Sequence, residues 1–263
     1  MTRLILAEWL KIRRRRALFW WSLVLSVGIV LTVFTILEIL HLVNPVRHGP
    51  AGGIDALRGS KIGLLSGASV AAIITGAFVG TADVSSGVFR DLVATGRSRW
   101  QLFLARVPGA LIYFVPMVIL GYVVITFGSV AFAAGSAPAG SLLAAPNAGM
   151  IARGFVWVLA VTSFNLVIAM SFASLIGSRA VTIGVLLGWE FIASPILAGV
   201  SLLGGARVAL FTIAVDHLNP DPNVAGPAPP TVIHSDLVAV IVLLAWVGVL
   251  LVLGGWRTVT RDA

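Results

Sequence analysis

Glu190 has the most unusual setting of any charged side chain in this sequence, because it lies inside the apolar run 181–202. A carboxylate carried to the centre of a bilayer costs about 2.5–3.5 kcal/mol, so it normally faces protein or water. Asn165 lies at a similar depth in the apolar run 150–176 and is expected within hydrogen-bonding reach. Two interpretations follow. Glu190 and Asn165 line a path along which a cationic molecule moves, or a protonated Glu190 bonded to Asn165 or Ser163 fixes the register of two helices.

A polar segment, ADVSSGVFRDLVATGRSRWQ, occupies residues 82–101 between two long apolar runs. Ser85 and Ser86 are suitable N-caps, and Gly96 suits the position that follows a helix C-terminus. Between them, VFRDLVAT is long enough for about two helical turns, with an apolar side beside a charged one. The pattern predicts a short capped helix whose exposed face either lies on lipid or docks into a groove on a partner.

The sequence supports no enzymatic centre. It contains no cysteine, which excludes thiolate metal sites and thiol catalysis, and it shows no Ser–His–Asp or paired-carboxylate arrangement. The stretch GGIDALRGSKIG is the nearest match to the phosphate-binding loop G-x-x-x-x-G-K-S/T, but it lacks the Gly-Lys pair. We therefore expect this chain neither to hydrolyse ATP nor to bind a cofactor. The histidines form no H-x-x-x-H pair, so no metal site is expected either.

The composition indicates an integral membrane protein. Of 263 residues, 59% are hydrophobic and 11% are charged, and the mean hydropathy is +1.04. A soluble domain carries roughly 25% charged residues, and the apolar runs here are too long for buried core helices. A net charge of +8 is also typical of proteins that bind nucleic acid. However, the basic residues stand at the ends of apolar runs and form no stripe on a soluble face, so no nucleic-acid partner is expected.

Six apolar runs approach the ~20 residues that a helix needs to cross a bilayer. They make residues 1–263 a single all-α transmembrane domain. The connections on one side are rich in Pro, Gly and Asn, which punctuate loops. The last of these, 203–235, contains a short apolar segment, 205–217, that is either re-entrant or interfacial. The predicted spans are residues 17–43, 60–82, 107–133, 150–176, 181–202 and 236–257.

The basic residues predict how these spans are oriented. Counted on alternate sides of six spans, the 18 Lys and Arg residues divide into thirteen on one side and five on the other. The positive-inside rule then places both termini and the 82–101 segment in the cytoplasm. The first apolar run, 17–43, is too long for a signal peptide and is expected to remain as a span. The expected location is the plasma membrane.

The N-terminal stretch MTRLILAEWLKIRRRR, residues 1–16, predicts an amphipathic helix. Ile5, Leu6, Trp9, Leu10 and Ile12 share one arc, and Arg3, Glu8, Lys11, Arg14 and Arg15 share the opposite one. Such a helix lies in the inner membrane interface, with Trp9 at the boundary and with Lys11, Arg14 and Arg15 toward anionic headgroups. The alternative is an ordinary basic flank that only orients the first span.

Small residues recur at four-residue steps in two of the predicted spans. Such ridges let helix backbones approach closely in lipid. They indicate either a seam between two copies or a sliding contact, or ordinary packing within one chain, and we favour packing within the chain for the second span. The residues are Gly63, Gly67, Ala68, Ala72, Gly76 and Gly80 in the second span, and Gly184 and Gly188 in the fifth.

The order of these features resembles ABC-2 type transporter permeases, the membrane subunits of ABC exporters. The cytoplasmic loop of that family typically shows an acid, a Gly-Thr pair, an Arg, a Leu-rich turn, a Ser-Arg pair and a later basic residue. AEWLKIRRRR and WRTVTRDA likewise resemble the start and the tail of such permeases, especially the antibiotic-immunity and drug-export branch. Asp83 replaces the commoner Glu, and Val88 stands where Thr is usual. The family positions are filled here by Asp83, Gly87, Arg90, Leu92 with Val93, Ser98 with Arg99, and Arg106.

The resemblance implies a fold and a mechanism. The fold would have six transmembrane helices, an N-terminal elbow helix at 1–16 and a short cytoplasmic coupling helix within 83–99. Two copies of a cytoplasmic ABC ATPase, which bind ATP and Mg, would push that loop and tilt the second and third spans. A second permease, identical or homologous, would complete an exporter of an amphipathic drug, antibiotic peptide or lipid. The implied ATPase-coupling residues are Asp83, Gly87, Phe89, Arg90, Asp91, Leu92, Arg97 and Arg99.

Two other functions stay open. A proton-coupled secondary transporter would use Glu190, although such proteins usually carry internal repeats that this sequence does not show. A non-transporting membrane scaffold would tolerate charge reversal in residues 83–99. Both alternatives share the six-span prediction. The secondary transporter would continue to transport after ATP depletion, whereas the scaffold would transport nothing.

Overall fold

A computed structural model describes residues 1–45, 47–85, 96, 98–133, 141–221, 232 and 235–260. In these ranges the chain is helical and contains no strand, which confirms the all-α prediction. The helices are α1 (Thr2–Arg13), α2 (Arg16–Val43), α3 (Gly53–Ser85), α4 (Arg99–Ala131), α5 (Ala148–Ile176), α6 (Arg179–Gly199), α7 (Phe211–His217) and α8 (Asp236–Thr260).

Six of these helices, α2 to α6 and α8, are long and apolar enough to cross a membrane. The number agrees with the six runs expected from the sequence, and the protein is a multi-pass membrane protein. Charges within helices are the reason that some bounds differ from the apolar runs. α3 begins at Gly53 rather than residue 60, and α4 begins at Arg99 rather than residue 107. Hydropathy alone ends a span at the first charge, whereas the helix continues where charges are paired.

Capping contacts explain both early helix starts. The Ser98 side chain accepts a hydrogen bond from the Gln101 amide and caps α4. The amides of Ile54 and Asp55 in the first turn of α3 donate to the carbonyls of Ala144 and Leu142. These contacts satisfy amides that would otherwise lack a partner at the start of each helix.

Helices α3 and α5 form the centre of the bundle through a close backbone contact. A methyl group added at Gly76 would lie 2.6 Å from the Leu166 carbonyl oxygen, and one added at Gly80 would overlap the Met170 carbonyl. The Ser174 hydroxyl donates to the Gly80 carbonyl across the same contact, at 3.2 Å. Small residues at these positions therefore allow the two backbones to touch, as ridges of this kind do in lipid.

The remaining members of the two small-residue ridges behave differently. Gly67 packs against the Leu25 carbonyl of α2, which is again packing within the chain. Gly63, Gly184 and Gly188 would each accept an added methyl group with no atom of the described chain within 4 Å. The ridge in α6 therefore makes no close contact within the described part of this chain.

Two of the spans contain one turn of π-helix. In α2 the turn is Val24–Gly28, and in α6 it is Trp189–Ala193, which includes Glu190. α6 also has the smallest buried share of the six spans. The following segment is not one continuous helix, since a 3₁₀ stretch at Ser201–Ala209 is separated from α7 by the extended residue Leu210. Whether 205–217 enters the bilayer stays a prediction.

Candidate functional site

A buried group of charges joins α3 and α4, the helices that flank the polar segment. Asp83 in the last turns of α3 is 4% exposed, and Arg106 in the second turn of α4 is 1% exposed. The Arg106 guanidinium donates to Asp83 Oδ2 at 2.9 Å. Lys11 of α1 donates to Asp83 Oδ1, also at 2.9 Å. Three helices therefore meet on one carboxylate.

Glu8 of α1 completes this group. Lys11 Nζ lies 2.6 Å from Glu8 Oε1, so the lysine bridges two carboxylates. Burial raises the pKa of Glu8, and the hydrogen bond from Lys11 offsets only part of that rise. Burial also acts to lower the pKa of Lys11, but its hydrogen bonds to Asp83 and Glu8 outweigh burial and raise it. We call Glu8, Lys11, Asp83 and Arg106 the charged cluster.

The charged cluster is interdependent because Glu8, Asp83 and Arg106 are too deeply buried to stand alone, whereas the Lys11 side chain is 38% exposed. Removing a charge from water costs several kcal/mol, which only a well-placed partner recovers. Asp83 compensates Arg106 and Lys11, and Lys11 in turn compensates Glu8. The cluster thus fixes α1 to the last turns of α3 and the first turns of α4.

The orientation of α1 differs from the sequence expectation. Lys11 and Glu8, which we expected on the headgroup face, point into the protein. The reason is the contact with α4, where a methyl group added at Gly109 would lie 2.7 Å from Glu8 Cβ. Leu6 and Leu10 are exposed instead. An isolated helical wheel cannot show this, although an acid among the basic residues of α1 was a signal of internal pairing.

The other expected anchors of α1 are exposed or half-buried. Arg14 and Arg15 are exposed, and the Arg15 guanidinium lies 4.8 Å from the centre of the Phe78 ring. Trp9 is half-buried, with Arg13 at 5.1 Å from its ring centre. Contact of Trp9, Arg14 and Arg15 with a membrane interface stays a prediction.

The expected coupling residues fall into two groups. Asp83 and Arg99 are described, and Arg99 donates to the Val259 carbonyl near the end of α8 at 2.7 Å. Gly96 has a φ of +78°, the left-handed conformation expected after a helix C-terminus. The other expected coupling residues lie outside the described residues: Gly87, Phe89, Arg90, Asp91, Leu92 and Arg97.

Glu190 and Asn165 meet, as their depths in the sequence suggested. Asn165 Nδ2 donates to Glu190 Oε1 at 3.0 Å and to Ser69 Oγ at 2.8 Å. Ser69 belongs to α3, so the amide links α3, α5 and α6. The sequence pointed to Asn165 but not to Ser69, since the run of α3 carries several hydroxyl residues without a distinguishing pattern. The role of Glu190 in a transport path stays a prediction.

A cavity of about 240 Å³ adjoins this contact between α5, α6, α7 and α8. Trp189 and Trp246 form one wall, with ring centres 6.0 Å apart. Trp246 Nε1 donates to the Ala209 carbonyl at 2.9 Å, which holds the ring in place. Phe211 and Thr212 at the start of α7 close another side. We call this space the Glu190 cavity.

A second buried ion pair lies at the opposite end of the bundle and was not predicted. Lys61 of α3 is fully buried, and its Nζ lies 2.6 Å from Asp221 Oδ2. It also donates to Asn219 Oδ1 at 3.1 Å, and Arg58 lies 3.6 Å from the same aspartate. Trp157 of α5 donates to the Val215 carbonyl of α7. These contacts fasten α7 and the residues that follow it onto α3 and α5.

Comparison of the chain with protein-family models, with curated proteins and with solved structures gives no match. The functional argument therefore depends on the charged cluster, the Glu190 cavity and the sequence pattern.

Proposed function

We propose that this chain is the membrane subunit of an exporter that a separate cytoplasmic ATPase drives. The observation that carries the proposal is the charged cluster, which ties the helices before and after the polar segment to one another and to α1. A segment with fixed ends transmits a push, whereas a segment on loose ends would absorb it. The sequence resemblance to ABC-2 type permeases assigns the same segment to ATPase contact.

A continuous set of contacts leads from the polar segment to the Glu190 cavity. Displacement of the segment would move α3 through Asp83, and α3 touches α5 at Gly76 and Gly80. α5 in turn carries Asn165, which bonds Glu190 of α6. Packed helices of this kind can carry coupling between distant sites when they have two arrangements. In this proposal ATP-driven closure of the ATPase alters the shape of the Glu190 cavity.

The proposal includes the rest of the assembly. Two copies of the ATPase would bind ATP and Mg, and a second permease, identical or homologous, would complete the transmembrane part. Both termini and the polar segment would face the cytoplasm of a cell with this protein in its plasma membrane, with α1 as an elbow helix in the interface. The cargo class would be an amphipathic drug, antibiotic peptide or lipid.

Co-purification from native membranes with a cytoplasmic ATPase that carries a phosphate-binding loop tests the proposal. We expect the ATPase to remain bound after detergent extraction, and Arg90→Glu to reduce the bound fraction at least tenfold, because the reversed charge would meet the ATPase surface. Arg47→Glu is the matched control, since Arg47 is an exposed arginine in a different connection, the one between α2 and α3. Equal loss in both variants, or transport by the purified chain without nucleotide, would contradict the proposal.

A proton-driven secondary transporter is a second candidate function. Its supporting observation is an acid inside the bundle, bonded to an amide and adjoining a cavity. Two sets of proteoliposomes separate the two functions, one with the chain alone and one with the chain and its ATPase. Uptake driven by a pH gradient without ATP would favour the secondary transporter, and uptake that requires the ATPase and ATP would favour the exporter.

A further inference from the structure

The Glu190 cavity contains one acidic side chain and no basic one among its described lining residues. Among the described residues that line it, Glu190 is the single ionisable side chain, and the others are apolar, aromatic or neutral polar. Within the described chain no basic group pairs with Glu190, and its carboxylate is met by two neutral groups, the Asn165 amide and the Ser69 hydroxyl. A carboxylate in apolar surroundings is poorly compensated by neutral donors alone. A bound cation would supply the missing compensation, whereas an anion would be repelled.

The walls of the cavity suit a cation that carries an apolar ring. Trp189 and Trp246 are inclined at 44° to each other, and Phe211 lies nearby in the lining. Aromatic faces attract organic cations and bury flat apolar surface at the same time. The carboxylate and the rings together therefore distinguish an amphipathic cation from a metal ion, which would need several oxygen ligands.

The dimensions and position of the cavity limit the ligand further. Its volume of about 240 Å³ is below the roughly 300–1,000 Å³ of sites for drug-sized molecules, which favours a compact ligand of one or two rings. Glu190 and Trp189 lie in the π-helical turn of α6, and such turns are frequent at functional sites. α6 is also the span with the smallest buried share, so it can move aside at low cost in packing.

We propose that the Glu190 cavity binds a compact amphipathic monocation, with its ammonium group on the Glu190 carboxylate and its ring against Trp189 and Trp246. Asn165 is a positioning residue, because its amide holds the carboxylate from the side of α5. The identification of this ligand as the cargo rests on the function proposed above. Its binding does not, and is measured without nucleotide or ATPase.

Binding of three naphthalene derivatives to the purified chain in zwitterionic lipid nanodiscs tests the proposal at pH 7.5. The probes are 1-naphthylmethylamine, the neutral 1-naphthalenemethanol and the anionic 1-naphthoate, and equilibrium dialysis against empty nanodiscs subtracts partition into lipid. We expect saturable binding of the amine, about 10- to 100-fold tighter than that of the alcohol, which is the range expected for a charged hydrogen bond. We expect no saturable binding of the acid.

Three variants make the result specific. Glu190→Gln should weaken binding of the amine to the level of the alcohol. Glu38→Gln is the matched control, because Glu38 is another acid in an apolar groove, with one buried carboxylate oxygen that lacks a hydrogen bond in the described chain. It should leave binding unchanged. Val185→Trp fills the cavity from an exposed position while leaving Glu190 in place, and it should abolish binding of both amine and alcohol.

The outcomes separate this inference from the proposed function. Equal affinity for amine and alcohol, an unchanged affinity in Glu190→Gln, or loss of binding in Glu38→Gln would overturn the cation site. If Glu190→Gln does not fold, Val185→Trp still tests the site, because it retains Glu190 and fills the cavity. Unchanged amine binding by Val185→Trp would also overturn the site. ATP-driven transport without amine selectivity would overturn this inference alone. Selective amine binding by a chain that engages no ATPase would overturn the function alone.

Discussion

At the scale of single residues, Asp83 and Asp216 are two acids whose surroundings make opposite demands. Asp83 is surrounded by cations and is needed in its ionised form, because Arg106 and Lys11 both bond to it. Asp216 in α7 is partly buried, and burial alone raises its pKa from 3.8 to about 6. One carboxylate therefore supports the fold when charged, and the other weakens it when charged.

Removal of the Asp83 charge should destabilise the protein strongly. Asp83→Asn would leave Arg106 buried without an ionic partner, a change that costs about 3–5 kcal/mol. We expect a correspondingly lower free energy of unfolding in detergent, measured by denaturant titration. The double variant Asp83→Asn with Arg106→Met should recover part of the loss, because no unpaired charge remains. A double variant less stable than Asp83→Asn would contradict the pairing.

Asp216 should make stability depend on pH. Its raised pKa means that the folded state holds its proton up to about pH 6, so the stabilising contribution is complete below its ordinary pKa of 3.8 and is lost as the pH rises through 6. Asp216→Asn should therefore raise the free energy of unfolding at pH 7.5 by about 1–2 kcal/mol, a value reduced for partial exposure. The difference should vanish near pH 4.

Thermal unfolding of the wild-type protein and of Asp216→Asn between pH 4 and pH 7.5 measures this difference in stability. Asp236→Asn is the control, since the Asp236 side chain is 86% exposed and its replacement should change stability by less than about 1 kcal/mol at any pH. A stability gain of Asp216→Asn that is the same at pH 4 and pH 7.5 would mean that ionisation is not its cause.

At the scale of helices, the backbones of α3 and α5 are in close contact along the proposed route from the polar segment to the Glu190 cavity. Gly76→Ala would place a methyl group 2.6 Å from the Leu166 carbonyl oxygen. Overpacking of this kind costs about 1–3 kcal/mol. We expect a lower midpoint of thermal unfolding and, if the proposed function holds, slower nucleotide-driven transport.

Gly63→Ala is the control on the same helix. Nothing in the described chain lies within 4 Å of a methyl group at Gly63, so this variant lacks the overlap. Since alanine is preferred over glycine inside a helix by about 1 kcal/mol, it should be neutral or slightly stabilising. Equal loss of stability in Gly76→Ala and Gly63→Ala would show that the close α3–α5 backbone contact is not the cause of the loss.

At the scale of the whole molecule, the two buried charge groups lie at opposite ends of the bundle. The charged cluster joins α1, α3 and α4 at one end, and Lys61 with Asp221 fastens the residues after α7 at the other. The distribution of basic residues predicts that the end with the charged cluster is cytoplasmic.

Single-cysteine labelling tests this orientation directly, because the chain contains no cysteine of its own. Thr2→Cys and Arg47→Cys introduce thiols at exposed positions in α1 and in the connection after α2. With a membrane-impermeant maleimide, we expect intact cells to be labelled at position 47 and not at position 2. Labelling at position 2 should appear only after permeabilisation, and the reverse pattern would invert the proposed topology.

Much of the architecture follows from the sequence alone. Run length and hydropathy determine the six spans and the helical class, because a bilayer leaves few alternatives for a long apolar run. The amphipathic pattern of residues 1–16 likewise corresponds to the helix Thr2–Arg13. The contact of Asn165 with Glu190 was also predictable, since equal depth brings two spans' polar residues to the same level.

Only the tertiary structure decided which charged residues meet. Lys11 and Asp83 are 72 residues apart, and Lys61 and Asp221 are 160 residues apart, so no local periodicity connects them. The direction in which Lys11 and Glu8 point depends on α4, because Gly109 of α4 lets α1 approach closely. A helical pattern defines the faces of one helix, but the neighbour that each face meets depends on how all the spans pack, and buried charges are placed by that packing.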